Sequence, residues 1–176
     1  MDYQHTFHDK VSALVETICK YLCAEHGIDE KEYFSKGGCG EFYFHLKKFC
    51  QCAKPYKLES PNGSHYLTRF GNQELLYDIN YSVRETNFET TNFKIVNDDE
   101  VPMFNFGVNR KDTYALLESG TDLEQVIQIK QLVKEHNENF FNLIQTEIDK
   151  FIETEFNNPS ESVICRHFGF DKEMCQ

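Results

Sequence analysis

No run of apolar residues in this 176-residue chain approaches the roughly 20 needed to cross a bilayer as a helix, so a membrane-spanning protein is not expected. Positive charge is also scarce. Eighteen Lys and Arg stand against 29 Asp and Glu, a formal net charge of −11. That balance argues against a nucleic-acid backbone or an anionic membrane surface as partner, and fits a neutral, basic or protein partner. Tryptophan is absent, and the aromatic bulk rests on sixteen Phe and nine Tyr. There is no internal repeat and no low-complexity tract. The opening "MDYQHTFHDK" has neither the basic nor the apolar region of a secretory signal, so a cytoplasmic location is expected. Direct delivery into a host cell would leave no mark here.

What is present describes an ordinary folded domain. Hydrophobic residues make up 40% and charged residues 27%, and the length suits one domain with a real core. The seven cysteines, Cys19, Cys23, Cys39, Cys50, Cys52, Cys165 and Cys175, are odd in number, and reduced thiols are the default reading.

The segment "FHDKVSALVETICKYLCAEHG" repeats Phe7, Val11, Leu14, Val15, Ile18, Leu22 and Cys23 at helical spacing, with Gly27 placed to end the helix. A short polar link follows, then a helix of about ten residues starting near Cys39. "PYKLESPNGS", with two prolines and an Asn-Gly, reads as loop. "HYLTRFGNQELLYDINYS" reads as two β-runs joined at Gly71-Asn72, "NFKIV" as a strand and "NDDEVP" as a turn. From Thr121 to Phe156 the pattern is helical almost throughout, with Thr121 and Glu124 as a capping box. Leu123, Val126, Ile127, Leu132, Val133, Phe140, Phe141, Ile144, Ile148, Phe151 and Phe156 form its apolar stripe. Unbroken, it would run about 50 Å, long enough that a break near "HNEN" is considered.

Chemistry concentrates in the middle of the chain. In "SKGGCGEFYFHLKKF" Cys39 stands among Gly37, Gly38 and Gly40 at a helix start. A helix N-terminus favours a thiolate, bare backbone lets a substrate approach, and the amides of Gly38 and Gly40 are candidates for holding an oxyanion. A two-residue turn at Gly71-Asn72 pairs residues whose numbers sum to 143. Arg69 then faces Glu74, Leu67 faces Leu76, Tyr66 faces Tyr77 and His65 faces Asp78. In that arrangement His65 serves as base to Cys39, and Asp78 orients the imidazole. His45 lies nearly two turns beyond Cys39 on the same helix, a poor position for a base.

"GGCGEFYFHLKKF", "SHYLTRF" and "LLYDI" together resemble the core of the papain-like and transglutaminase-like superfamily of cysteine hydrolases, over roughly residues 35–80. The resemblance implies Cys39 as nucleophile, His65 as base and Asp78 as orienting acid, with no cofactor. No Gln stands a few residues before Cys39, where papain-like members often place an oxyanion donor.

Each of these residues also has a plain structural reading: a buried thiol in a tight turn, a strand histidine, a strand-end carboxylate. The chemical rival is zinc, with Cys50, Cys52, Cys165 and His167 as four ligands, although the Cys-x-Cys spacing is shorter than structural zinc prefers. Glu85, Glu89, Asp98, Asp99 and Glu100 read as a solvated acidic rim suited to a basic target.

The expected fold is α+β, papain-like or transglutaminase-core-like: helices packed on a small antiparallel sheet, with a long C-terminal helix. Residues 1–120 would form the core, and 121–176 an amphipathic helix and tail packed on it, one domain overall. The expected activity is that of a cysteine protease, deamidase or transglutaminase acting on amide bonds of protein or peptide. The alternative is a non-enzymatic binding or inhibitory module that uses the acidic surface and the long helix. That helix is also a candidate for pairing two copies into a homodimer.

Overall fold

The computed structural model describes residues 13, 17, 20, 23–25, 27, 29–35, 37–49, 51–60, 63–70, 75–79, 84–85, 93–103, 110–160 and 164. Residues 13, 17, 20 and 23–25 are helical, with Cys23 fully buried, and the chain leaves this helix at Gly27 with φ 68°. A positive φ is cheap only for glycine, which is why the stop signal was legible. The remaining apolar positions of that stripe lie outside the described residues.

The polar link is itself a helix, α1 (Glu30–Ser35), started by Asp29, whose Oδ1 accepts from the Glu32 amide at 2.8 Å. Helix α2 (Cys39–Lys47) follows, nine residues long. Two long strands come next, β1 (Ala53–Ser60) and β2 (Gly63–Phe70), paired antiparallel from Ala53↔Phe70 to Ser60↔Gly63. The expected loop is therefore a strand. Pro55 misled because proline interrupts a ladder only where its missing N–H is needed. Here β5 (Phe93–Ile95) pairs with β1 only across Tyr56, Lys57 and Leu58. Pro55 lies one residue past the end of that ladder, and its carbonyl still accepts from the Val96 amide at 3.2 Å. The sheet order is β2-β1-β5. A second, two-stranded sheet joins β3 (Leu75–Leu76) to β4 (Arg84–Glu85) and touches β2 through a Thr68↔Tyr77 bridge. The sequence "NDDEVP" holds a 3-10 turn over Asp98–Glu100, closed by a capping box between Asn97 and Glu100.

Among the described residues two further helices follow, α3 (Arg110–Glu118) and α4 (Leu123–Glu155), and Ile164 beyond them is helical and buried. The cap of α4 falls one residue later than expected: Asp122, in extended conformation, accepts from the Gln125 amide at 2.9 Å. The 33 residues run through "HNEN" without a break. Asn137 is buried there and starts the stripe Asn137, Phe140, Ile144, Ile148 and Ile152, all turned to the core. That packing outweighs the few tenths of a kcal/mol by which Asn disfavours a helix. Before Asn137, α4 buries only Val126, and leaves Leu123, Ile127 and Leu132 exposed at 63%, 58% and 65%.

The sheet separates two apolar clusters. Successive strand residues point to opposite faces. Tyr66, Phe70 and Ala53 pack with α2, α4, Tyr77 and Ile79 on one face. Tyr56, Leu67 and Leu76, with Leu58 and Phe93 beside them, pack on the other. Among the described residues no helix is long and apolar enough to cross a membrane.

Candidate functional site

Cys39 opens α2, and two glycines turn the chain into it. Gly37 has φ 137°, and Gly38 occupies the cap position with its amide donating to the Tyr33 carbonyl at 3.1 Å. A Cβ on Gly38 would lie 2.9 Å from that carbonyl oxygen. A Cβ on Gly40 would lie 2.5 Å from the Pro102 carbonyl oxygen and 2.8 Å from Val101 Cγ1. The glycines thus admit the protein's own backbone, from residue 33 on one side and 101–102 on the other. This differs from their expected role as open room for substrate. The Gly38 amide is engaged within the fold. The amides of Cys39 and Gly40 belong to the first turn of α2, where no intrahelical acceptor precedes them.

Cys39 is 7% exposed. Its sulfur receives the Tyr66 amide at 3.4 Å, so α2 begins against the outer edge of β2. His65, the preceding residue, leaves β2 on the opposite face, and its Nε2 lies 3.2 Å from Asp78 Oδ2. Asp78 is almost fully buried, whereas His65 keeps 26% of its side-chain exposure. Residues 39, 65 and 78 are therefore brought together.

The register that does this is not the expected one. Thr68 and Tyr77 exchange two main-chain hydrogen bonds of 2.9 Å, so facing numbers sum to 145 rather than 143. A shift of two keeps every side chain on its face, since the strand period is two. Asp78 then sits beside Leu67 and diagonal to His65, still within reach of a long side chain. It lies just past the bridge, not within a strand. Gly71, Asn72 and Glu74 lie outside the described residues; Arg69 donates to Tyr56 Oη at 2.5 Å.

Electrostatics follow from this geometry. The hydrogen bond to Asp78, then that to Cys39, holds the His65 imidazolium, while burial opposes it, and its pKa is pushed up from 6.5 to about 9. With Nε2 turned to Asp78, Nδ1 is the nitrogen left for the sulfur. His45 is the reverse case. It is completely buried, stacked on Phe141 at 4.6 Å, and its Nδ1 is 2.5 Å from Gln145 Nε2. Burial, with Lys48 adding to it, lowers its pKa to about 3, so it is a neutral core residue.

A second polar group ties α2 to the 3-10 turn. Tyr43 Oη donates to Asp98 Oδ1 at 2.6 Å, and Lys47 pairs with Asp98 Oδ2. Asp98 is thus one end of a fixed bridge, while Asp99 and Glu100 remain on the exposed rim. Glu89 and the side chain of Glu85 lie outside the described residues. So do Cys50, Cys165 and His167 of the zinc alternative; Cys52 is half-buried against the core. Among the described residues no three His, Cys, Asp or Glu side chains gather as a metal site requires. The contribution that sequence reasoning missed is the Tyr66 amide, because a main-chain donor has no side-chain signature.

No family model matches the chain, and no curated protein or solved structure matches it either.

Proposed function

We propose that the chain is a cysteine-dependent hydrolase or acyl transferase of papain-like or transglutaminase-like kind, acting on amide bonds of protein or peptide. The observation that carries the reading is the Cys39–His65–Asp78 constellation. One imidazole is held by a buried carboxylate at 3.2 Å on Nε2, and its side chain also meets the Cys39 thiol. A thiol beside a histidine held by a carboxylate is the arrangement in which a sulfur proton can pass to imidazole.

The reaction follows from these positions. With the sulfur proton resident on His65, the Cys39 sulfur bonds as thiolate to the substrate carbonyl carbon. The developing oxyanion is met by the Cys39 and Gly40 amides at the start of α2. The carbon–nitrogen bond then breaks, and the imidazolium gives its proton to the departing amine. Water attacks the resulting thioester with His65 as base, releasing acid and restoring the thiol. Replacing that water by an amine gives transamidation; a side-chain amide as substrate gives deamidation. Asp78 keeps Nε2 occupied and stabilises the imidazolium throughout.

The test is alkylation of Cys39 by iodoacetamide, read by peptide mass spectrometry across pH 5–10 in wild type and His65→Ala. Rapid wild-type alkylation at neutral pH that slows without His65 supports the pair. Equal rates in both proteins would sink it. The exposed Leu123, Ile127 and Leu132 favour a second reading, a protein-binding module or self-pairing through α4. It requires that Cys39→Ala leave function intact while Ile127→Glu and Leu132→Glu abolish it.

A further inference from the structure

We propose that the main-chain amide of Tyr66 is a working part of the site, the donor that holds the Cys39 sulfur as it becomes charged. This rests on the thiol chemistry proposed above. In an antiparallel strand the amides of alternate residues point to the same edge. Along β2 the Thr68 amide points outward, to the Tyr77 carbonyl at 2.9 Å. The Tyr66 amide, two residues earlier, points to that same edge. Strand β3 ends at Leu76 and the bridge stops at Tyr77. At Tyr66 the acceptor is the Cys39 sulfur, at 3.4 Å. The thiol stands in the ladder where a neighbouring strand's carbonyl would stand.

That placement has a chemical consequence. A neutral thiol accepts hydrogen bonds weakly, whereas a thiolate accepts a charge-assisted one. The bond therefore strengthens when the proton moves from sulfur to His65. It weakens again once the sulfur bonds to carbon and its charge passes to the carbonyl oxygen. The amide cannot swing aside, because the Tyr66 ring is 7% exposed and its hydroxyl lies 3.4 Å from the Glu100 carbonyl oxygen. The sulfur is met by His65 and by a rigid sheet donor that carries no titratable group.

Incorporating the α-hydroxy analogue of tyrosine at position 66 removes this N–H and keeps the ring and hydroxyl. Cys39 alkylation by iodoacetamide is then followed across pH 5–10. The ester protein is expected to react about tenfold more slowly at neutral pH and to recover toward the wild-type rate at high pH. If the ester protein matches wild type while His65→Ala still slows alkylation, the amide has no such role and the thiol–imidazole reading survives. If His65→Ala also changes nothing, both fall. Should the ester protein not fold, the wild-type Tyr66 amide proton shift is measured against pH. It must move with the Cys39 alkylation profile and stop moving in Cys39→Ala; a shift indifferent to that substitution overturns the proposal.

Discussion

Asp78→Asn removes the carboxylate whose hydrogen bond most raises the His65 pKa. The carboxylate lies 3.2 Å from Nε2 and is the largest contributor to a rise from 6.5 to about 9. One pKa unit corresponds to about 1.4 kcal/mol, so the full rise amounts to ~3 kcal/mol. His65 keeps a quarter of its exposure and solvent screens part of the interaction, leaving ~2 kcal/mol as the expected effect. Because the folded pKa lies above the unfolded one, this stability is fully present below pH 6.5 and is lost as pH rises through 9. Wild type should therefore be more resistant to urea at pH 6 than at pH 10. Asp78→Asn should lose most of that difference. The His65 ring proton, assigned by its absence in His65→Gln, should titrate near 9 in wild type and below about 7 in Asp78→Asn, where burial is no longer opposed by a carboxylate. A wild-type midpoint near 6.5, or one unmoved by the substitution, refutes the reasoning. The midpoint belongs to the thiol–imidazole pair as a unit, so Cys39→Ala should lower it too.

Gly40→Ala should destabilise by about 1–3 kcal/mol in urea unfolding, because its Cβ would stand 2.5 Å from the Pro102 carbonyl oxygen and one backbone must move. The buried His45, with its pKa near 3, is neutral in the fold, and the stability it allows is present above pH 6.5 and lost as pH falls toward 3. His45→Phe with Gln145→Leu should thus move the acid-unfolding midpoint to lower pH, followed by circular dichroism. Ile144→Ala, at a fully buried position, should cost about 2–5 kcal/mol. Leu132→Ala, at 65% exposure, should change stability by no more than about 0.5 kcal/mol in the same assay.

The outline of the fold was legible where one local signal decided the structure. Gly27 could end a helix because few other residues accept φ 68°, and the stripe from Phe140 to Ile152 could only be one side of a helix facing a core. Signals failed where the decision lay elsewhere in the chain. Pro55 is harmless because β5 stops before it, a fact about residues 93–95. The expected turn at Gly71-Asn72 gave a register two residues off, since the pairing is set where Thr68 meets Tyr77. His65 and Asp78 still met because an even slip conserves the face. The glycines around Cys39 were read through their freedom; their necessity comes from Tyr33 and Pro102, whose approach no short pattern encodes. Leu123, Ile127 and Leu132 fitted a helical period and are exposed all the same, since periodicity does not say where the neighbouring surface ends.

The helix start that presents Cys39, the strand that presents His65 and the bridge that delivers Asp78 all fall within residues 39–78. Chain closure over so short a stretch costs little entropy, and nearby contacts form before distant ones during folding. The three groups can therefore come together through one hairpin and one short helix, while α4 contributes its apolar stripe to the same core. Sequence change along α4 is then free to alter stability, and the placement of Cys39, His65 and Asp78 is held to a separate standard set by their own forty residues.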